Sequence, residues 1–597
     1  MKEFKKPLAL MLAAMTASVF IGCGADPTFT YYQGETTDGA TGKMEFSTDL
    51  FYRNDIKAAG NADPFVLDNT DVDGYYYMYA TYGYIACHRS KDLVNWEPTG
   101  PSLNAWQHGS EGNKVAKEGI WAPEVVRDDE NDRYVMHFSA TPENNKGVKW
   151  MLMAAVSDSP TGPFDIVNFV DPESCGEENV HDYDTDVYTD WFAEYFFLDP
   201  ELFNDFADEW GGRDLGNGGY TGAIDPHAFV DADGTKYLYF VDNQGENFIV
   251  GCEMENWLKP KWETMTVLTA ARYYTVEDWR NEKFDNIGPG ENGDDYVSYE
   301  TANNIINEGP TMTEHNGKYY LTLSVNDYSL SNYAVCQAVA DSPLGAFRKL
   351  RDEENGLLLS SLAEGSKEVS GSGHHSFVTV DGDMYIIYHR HDDFTTAGSS
   401  RNPGIDEIKW VTITDINGEA LDVMYANGPT WNVQPNIIGK YKNIAGDATV
   451  TGSADAEYLT DGLLSVCKTD NDFQFDYIGE TMIDETTTFT FDFGKARKIR
   501  AVMIYESKYE DCAFKTATVE LVTASGVTHR LELKLARELY EEDDYYFDIS
   551  YISPGASVFA EFAETEVTKV RVTVPVKNEG ASAGISEIRI LGIAEGK

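Results

Sequence analysis

The sequence predicts an all-β chain, with a five-bladed β-propeller over residues 45–437 and a jelly-roll-like β-sandwich over residues 440–597. Three observations predict it. One strand–turn–strand pattern recurs five times. Aromatic residues make up 13% of the chain, led by 36 Tyr and 30 Phe, a composition that suits pleated structure. Near Tyr441 the repeat gives way to a different alternation of apolar and polar residues. Radial repetition of units of about four strands makes a propeller, whereas short alternating runs without a repeat make a sandwich.

The N-terminus comes first. Lys2, Lys5 and Lys6 precede an apolar run from Leu8 to Phe20 that closes on Ile21-Gly22-Cys23. A basic segment, a short apolar segment and a small residue form a secretion signal, residues 1–22, too short to cross a membrane as a span. With a Cys directly after the small residue, the stretch resembles a bacterial lipoprotein lipobox, which implies cleavage before Cys23 and lipidation of that residue. Residues 23–44, rich in Gly, Thr and Asp, then read as the lipidated Cys and a tether. The expected location is the bacterial cell envelope, on the outer membrane surface or the periplasmic face, with the lipid anchor as the only membrane contact.

The five copies start at Asp63 (DPFVLDNTDVDGYYYMYAT), Glu124 (EVVRDDENDRYVMHFSA), Asp225 (DPHAFVDADGTKYLYFVD), Glu308 (EGPTMTEHNGKYYLTLSVN) and His374 (HHSFVTVDGDMYIIYHRHD). Each has a polar head, an apolar strand, an Asp/Asn/Gly turn where a hairpin reverses, and an aromatic strand. Further strand-like runs follow, such as Trp150 to Ser157 and Tyr333 to Ala340, which brings each unit to about four strands. In a propeller the heads start the innermost strands, so five distant segments converge around one funnel. Residues 165–221, acidic and aromatic, read as an insertion between blades. Beyond Tyr441, Ala448 to Thr451, Phe489 to Gly494, Ile499 to Tyr505 and Ile585 to Gly592 alternate as sandwich strands.

Composition narrows the function. A net charge of −54 repels phosphate backbones and anionic surfaces, which excludes nucleic acid as the natural partner. Of seven cysteines, the six besides Cys23 are far apart and lack CxxC spacing, so neither a zinc site nor a disulfide framework is indicated. The heads are more specific. Ala62-Asp63-Pro64-Phe65, Ile224-Asp225-Pro226-His227 and Asn307-Glu308-Gly309-Pro310 each put one carboxylic acid before an apolar strand. Hydrolysis of a glycosidic bond needs carboxyl groups in opposed roles, held rigidly apart.

On these residues the propeller resembles glycoside hydrolase family 43. The Trp121-Ala122-Pro123-Glu124 stretch and Gly371-Ser372-Gly373-His374 are further family marks. The resemblance implies an inverting mechanism with Asp63 as general base, Glu308 as general acid and Asp225 as the carboxylate that tunes the acid. It also implies a role for Trp121 at the sugar-binding subsite and a metal ion, commonly calcium, on the axis near His374. His389 and Arg401 fall where the fifth blade meets the funnel and are candidates for substrate contact, whereas Glu124 is expected to be hydrogen-bonded structure. The implied substrates are oligo- or polysaccharides of plant cell walls, first for an exo-acting α-L-arabinofuranosidase. A β-xylosidase, β-galactofuranosidase or endo-arabinanase is the alternative within the family, and a non-catalytic glycan-binding lipoprotein the alternative outside it. Fructan hydrolases share the architecture but carry Asn-Asp-Pro, Arg-Asp-Pro and Glu-Cys heads, which this chain lacks. The tail resembles a discoidin or coagulation-factor type C sandwich through Leu459-Thr460-Asp461-Gly462, Phe489 to Gly494 and Ile585 to Ile588.

Overall fold

The computed structural model describes residues 29–33, 46–54, 56, 61–105, 116–142, 150–166, 168–170, 180–182, 223–243, 247–282, 297–300, 306–361, 369–391, 401–430, 433–453, 455–465, 478–507, 512, 514, 516–534, 541–542, 545–546, 557–576 and 581–595. The signal segment, Cys23, Cys175, Cys467 and most of the 165–221 insertion lie outside them. Among the described residues Cys87, Cys252 and Cys336 are free thiols, and no helix is long and apolar enough to cross a membrane.

Five sheets form the blades, antiparallel apart from one short parallel pair at the outer edge of the second, Leu103–Asn104 with Phe164–Ile166. Their inner strands are Ala62–Asp68, Ala116–Asp128, Ala223–Val230, Asn307–His315 and Ser370–Val380. Each is followed by its hairpin partner: Tyr76–Thr81, Arg133–Pro142, Lys236–Asn243, Lys318–Val325 and Asp383–His391. The inner strands contact one another in a ring that runs from the fifth blade to the first and on to the fourth. Because strand side chains alternate, a blade buried between two others must be apolar on both faces. Tyr76–Thr81 shows this. Tyr77 and Tyr79 enter the cluster shared with the second blade, while Tyr76 and Met78 enter the one shared with the fifth.

At the head of every inner strand the hairpin register breaks: between Ala62 and Phe65, Trp121 and Glu124, Ile224 and His227, Glu308 and Thr311, and Gly373 and His375. In each bulge one residue turns left-handed: Asp63, Ala122, Asp225, Gly309 and His374, with φ between 46° and 55°. A bulge frees a residue from the ladder and re-aims its side chain. The geometry corrects the alignment expected from sequence. Glu308 precedes the left-handed position by one residue and Glu124 follows it by two, so only Asp63, Asp225 and His374 of the five expected heads are equivalent.

The ring closes without a shared strand. The first and fifth blades are each built from contiguous chain, and the segments flanking the propeller, Phe51–Arg53 and Val433–Pro435, pair with each other antiparallel. That pair is seated on the second domain. Phe51 packs on Phe559 with ring centroids 4.6 Å apart, Tyr505 donates its hydroxyl to Gln434 Oε1 at 2.9 Å, and Leu50, Val433, Met503 and Leu591 share one buried cluster.

Among the described residues, the sheet of the C-terminal domain has nine antiparallel strands, one of them contributed by the segment before the propeller. Its long strands Thr487–Glu506 and Ser557–Val574 break register twice. Those breaks let the sheet bend over a core that includes Phe489, Phe491, Val519, Val570 and Ile588. Strand Tyr441–Asn443 enters this sheet beside Ala583–Ile593, where the change of sequence pattern falls. One difference from expectation concerns the tether: Tyr31–Gln33 is a strand paired with Phe562 to Ala560, because Tyr31 has apolar surface to bury there.

Candidate active site

The five left-handed heads ring a pit on the propeller axis, lined by Asp63, Glu124, Asp225, Gly309 and His374 among others. Four are oriented by a common device. The residue that pairs with the position before the head, on the second strand of one blade, takes a hydrogen bond from the head N–H of the next blade. Thr81 Oγ1 receives Ala122 N–H at 2.9 Å and Ser139 Oγ receives Asp225 N–H at 3.0 Å. Ser324 Oγ receives His374 N–H at 2.7 Å, and His389 Nδ1 receives Asp63 N–H at 3.2 Å. The two strained aspartates are thereby held by their own backbone, and their carboxylates are left for chemistry.

Asp63 is 7% exposed. Its Oδ1 lies 3.1 Å from Arg401 Nη1, 3.3 Å from His389 Nδ1 and 3.5 Å from His374 Nδ1. Burial pushes the carboxyl up, but the neighbouring His374, Arg401 and His389 outweigh it and hold Asp63 well below the usual carboxylate range. Burial lowers His389 to about 3 and lowers His374 as well. Arg401 is therefore the permanent cation at this carboxylate.

Glu308 experiences the opposite environment. Burial raises its pKa to about 7, with the charge of Asp63 adding to the rise and the Tyr333 hydroxyl, donated to Oε1 at 2.6 Å, opposing it. Asp225 is pushed well above its ordinary range by burial and by the charges of Glu308 and Asp63. The two carboxyls thus retain a proton between them at neutral pH. Gly309 donates its N–H to Asp225 Oδ2 at 3.1 Å, which favours the ionised form of Asp225 and shifts the shared proton toward Glu308. One carboxylate held ionised beside another held protonated is the pairing that acid–base hydrolysis requires.

The remaining candidates divide. Trp121 stands one position before its blade's head, as Glu308 does, and its indole packs on Trp150 at 5.4 Å. Arg401 reaches the site but is engaged with Asp63, its guanidinium over the half-exposed ring of Tyr328 at 4.6 Å. His389, expected at the substrate, is fully buried behind Asp63 and stacks on Tyr333 at 5.5 Å; it holds the Asp63 backbone and has no open face for a sugar. Glu124 accepts from Ala228 N–H at 3.2 Å and meets His227 Nδ1 at 2.9 Å, so it belongs to the strand scaffold.

His374 turns Nδ1 to Asp63 and Asp225. Among the described residues no group of three or more His, Cys, Asp or Glu is arranged to hold an ion. The axial pit offers about 10 Å³, roughly the room of one water molecule. These donors, in a pit of that size, do not fit a hydrated calcium ion.

Two residues at the site carry no motif: Tyr333 at Glu308 and Tyr328 at Arg401. Tyr333 follows a bend in the fourth blade, and its ring fits only because position 373 is Gly: a Cβ there would lie 2.2 Å from the ring. Tyr328, 45% exposed, presents an aromatic face at the rim. A tyrosine in a short loop is a weak signal in one sequence, and only the fold brings Tyr333 to Glu308.

No curated protein matches the chain. Similar solved structures include a thermostable family-43 glycoside hydrolase, 26% identical over 65% of this chain and 99% of that one, with a TM-score of 0.44. An endo-1,4-β-xylanase from Bacteroides thetaiotaomicron is 23% identical over 64% and 98%, with a TM-score of 0.41. An α-L-arabinofuranosidase from Lactobacillus brevis is 19% identical over 60% and 93%, with a TM-score of 0.39. The sequence profile described as glycosyl hydrolases family 43 matches residues 52–205 and 213–412. With that profile spanning more than half of the chain, and a five-bladed propeller to carry it, the protein belongs to glycoside hydrolase family 43 and is a glycosidase.

Proposed function

We propose that the enzyme is an inverting glycosidase in which Asp63 activates water, Glu308 protonates the leaving oxygen and Asp225 keeps Glu308 charged with its proton. The observation that carries this reading is the split between an ionised Asp63, paired to Arg401, and a protonated Glu308 at the heads of two inner strands. In inversion the base removes a proton from water as the oxygen attacks the anomeric carbon, the glycosidic bond breaks, and the acid's proton passes to the departing alcohol. Carboxylates around the funnel stabilise the oxocarbenium-like transition state.

The substrate reading is an exo-acting α-L-arabinofuranosidase on plant cell-wall glycans, with Trp121 and Tyr328 as aromatic faces for the sugar. Cys23 is proposed as the lipidated residue that tethers the enzyme to the bacterial envelope, which a Cys23→Ser variant recovered in the soluble fraction would support.

The test uses nitrophenyl α-L-arabinofuranoside, β-D-xyloside and β-D-galactofuranoside. Wild type should release nitrophenol from the first, with the β-anomer appearing first in a proton NMR time course. Glu308→Gln and Asp63→Asn should each lose about 10²- to 10⁴-fold in kcat. Retention of most of the turnover by either variant would sink the assignment.

A further inference from the structure

Four of the five head N–H groups are received by a side chain on the second strand of the preceding blade: Thr81, Ser139, Ser324 and His389. Each acceptor pairs across the hairpin with the residue just before its own blade's head: Ala62 with Thr81, Trp121 with Ser139, Glu308 with Ser324, and Gly373 with His389. In the third blade the same register pairs Ile224 with Val241. Valine has no acceptor, and Val241 is fully buried. The fourth head's N–H, that of Gly309, therefore lacks the usual partner, and it donates to Asp225 Oδ2 instead.

We propose that Val241 is a positioning residue: by withholding the side-chain acceptor found in the other four blades, it commits Gly309 N–H to Asp225 and so fixes that carboxylate beside Glu308. The inference rests on the reading of Glu308 as acid and Asp225 as its partner, and it goes beyond that reading in assigning the origin of Asp225's orientation. An apolar residue in an otherwise polar ring has the same effect as a deleted competitor. Placing a hydroxyl at position 241 restores the competitor.

The direction of the effect follows from the proton shared by the pair. Without its N–H donor, the ionised form of Asp225 is less favoured, so Asp225 takes a larger share of that proton and Glu308 a smaller one. The pair as a whole then releases the proton at higher pH, while fewer molecules hold it on Glu308.

The experiment measures kcat, KM and the pH dependence of kcat/KM for the full chain and for Val241→Thr, Val241→Ser and Val241→Ala, with thermal melting of each. Val241→Thr should lower plateau kcat by roughly threefold to tenfold, the range set by one hydrogen bond. KM should stay unchanged, and the alkaline limb should move to higher pH. Val241→Ser should do the same if the threonine variant does not fold. Val241→Ala removes more packing and adds no acceptor, so it should melt lower yet keep the wild-type limb. Asp225→Asn, which removes the charge instead of releasing it, should move the limb the other way. Equal limbs in the Thr, Ser and Ala variants would overturn the proposal, as would a limb that follows melting temperature. Turnover retained by Glu308→Gln would instead overturn the parent assignment, and this proposal with it.

Discussion

At the scale of single residues, the site separates two carboxyls by environment and not by type. Asp63 has a guanidinium against it and Glu308 has a phenol and two other carboxyls nearby. The active form has Asp63 ionised and Glu308 protonated. Activity should therefore persist to low pH, because Asp63 is lowered, and should fall as pH rises through about 7, where Glu308 loses its proton. Tyr333→Phe removes a donor that favours ionised Glu308, so its alkaline limb should lie at higher pH than wild type; a limb at or below the wild-type position would contradict the assigned role. The three acids were legible in the sequence because each stands beside Pro or Gly-Pro before an apolar run. Tyr333 was not, since a tyrosine in a β-rich chain carries no mark of the partner it will meet. His389 was legible as near the site, but nothing in YHRHDD indicates that it sits behind Asp63 and out of reach of substrate.

Individual elements explain why one sequence pattern gave an alignment that the fold corrects. A hairpin has a period of two, but each inner strand carries a bulge at its head, and the bulge adds residues without changing the apolar pattern that follows. Counting from the apolar strand therefore assigned Glu124 and Glu308 to the position that Ala122 and Gly309 occupy. The left-handed turn is visible only in φ. Close packing at the same heads makes Gly373 a sharp test. A methyl there would strike the Tyr333 ring and push it off both His389 and Glu308. Gly373→Ala should reduce kcat by about tenfold or more and lower the melting temperature, whereas Gly382→Ala, at an exposed turn with open space around it, should leave kcat unchanged.

Over the whole molecule, the sandwich acts as a clasp. The strands that flank the propeller pair with each other and lie on the sandwich through Phe51–Phe559, Tyr505–Gln434 and Ser557 Oγ to the Val433 carbonyl at 3.1 Å. An interface made of a shared apolar core joins domains into one unit. A chain ended after residue 437 should melt several degrees lower and lose activity even on a soluble nitrophenyl glycoside. A tail that served only to bind polymer would leave that small-substrate activity intact. The two β-domains were legible from the change of pattern near Tyr441, but their joint was not: Phe51 and Tyr52 look like any strand residues, and their partners lie hundreds of positions away.

The seam between the first and fifth blades also sets an order of events in time. Asp63 meets His389 and Arg401 across 326 and 338 residues of chain, and contacts of such sequence separation form late, after local hairpins have reduced the entropy of closure. Each blade can gain its strands early in refolding, but the base is seated only when the last blade docks against the first. Recovery of hydrolysis should therefore lag recovery of the far-ultraviolet dichroism signal, and catalysis becomes a clock for ring closure.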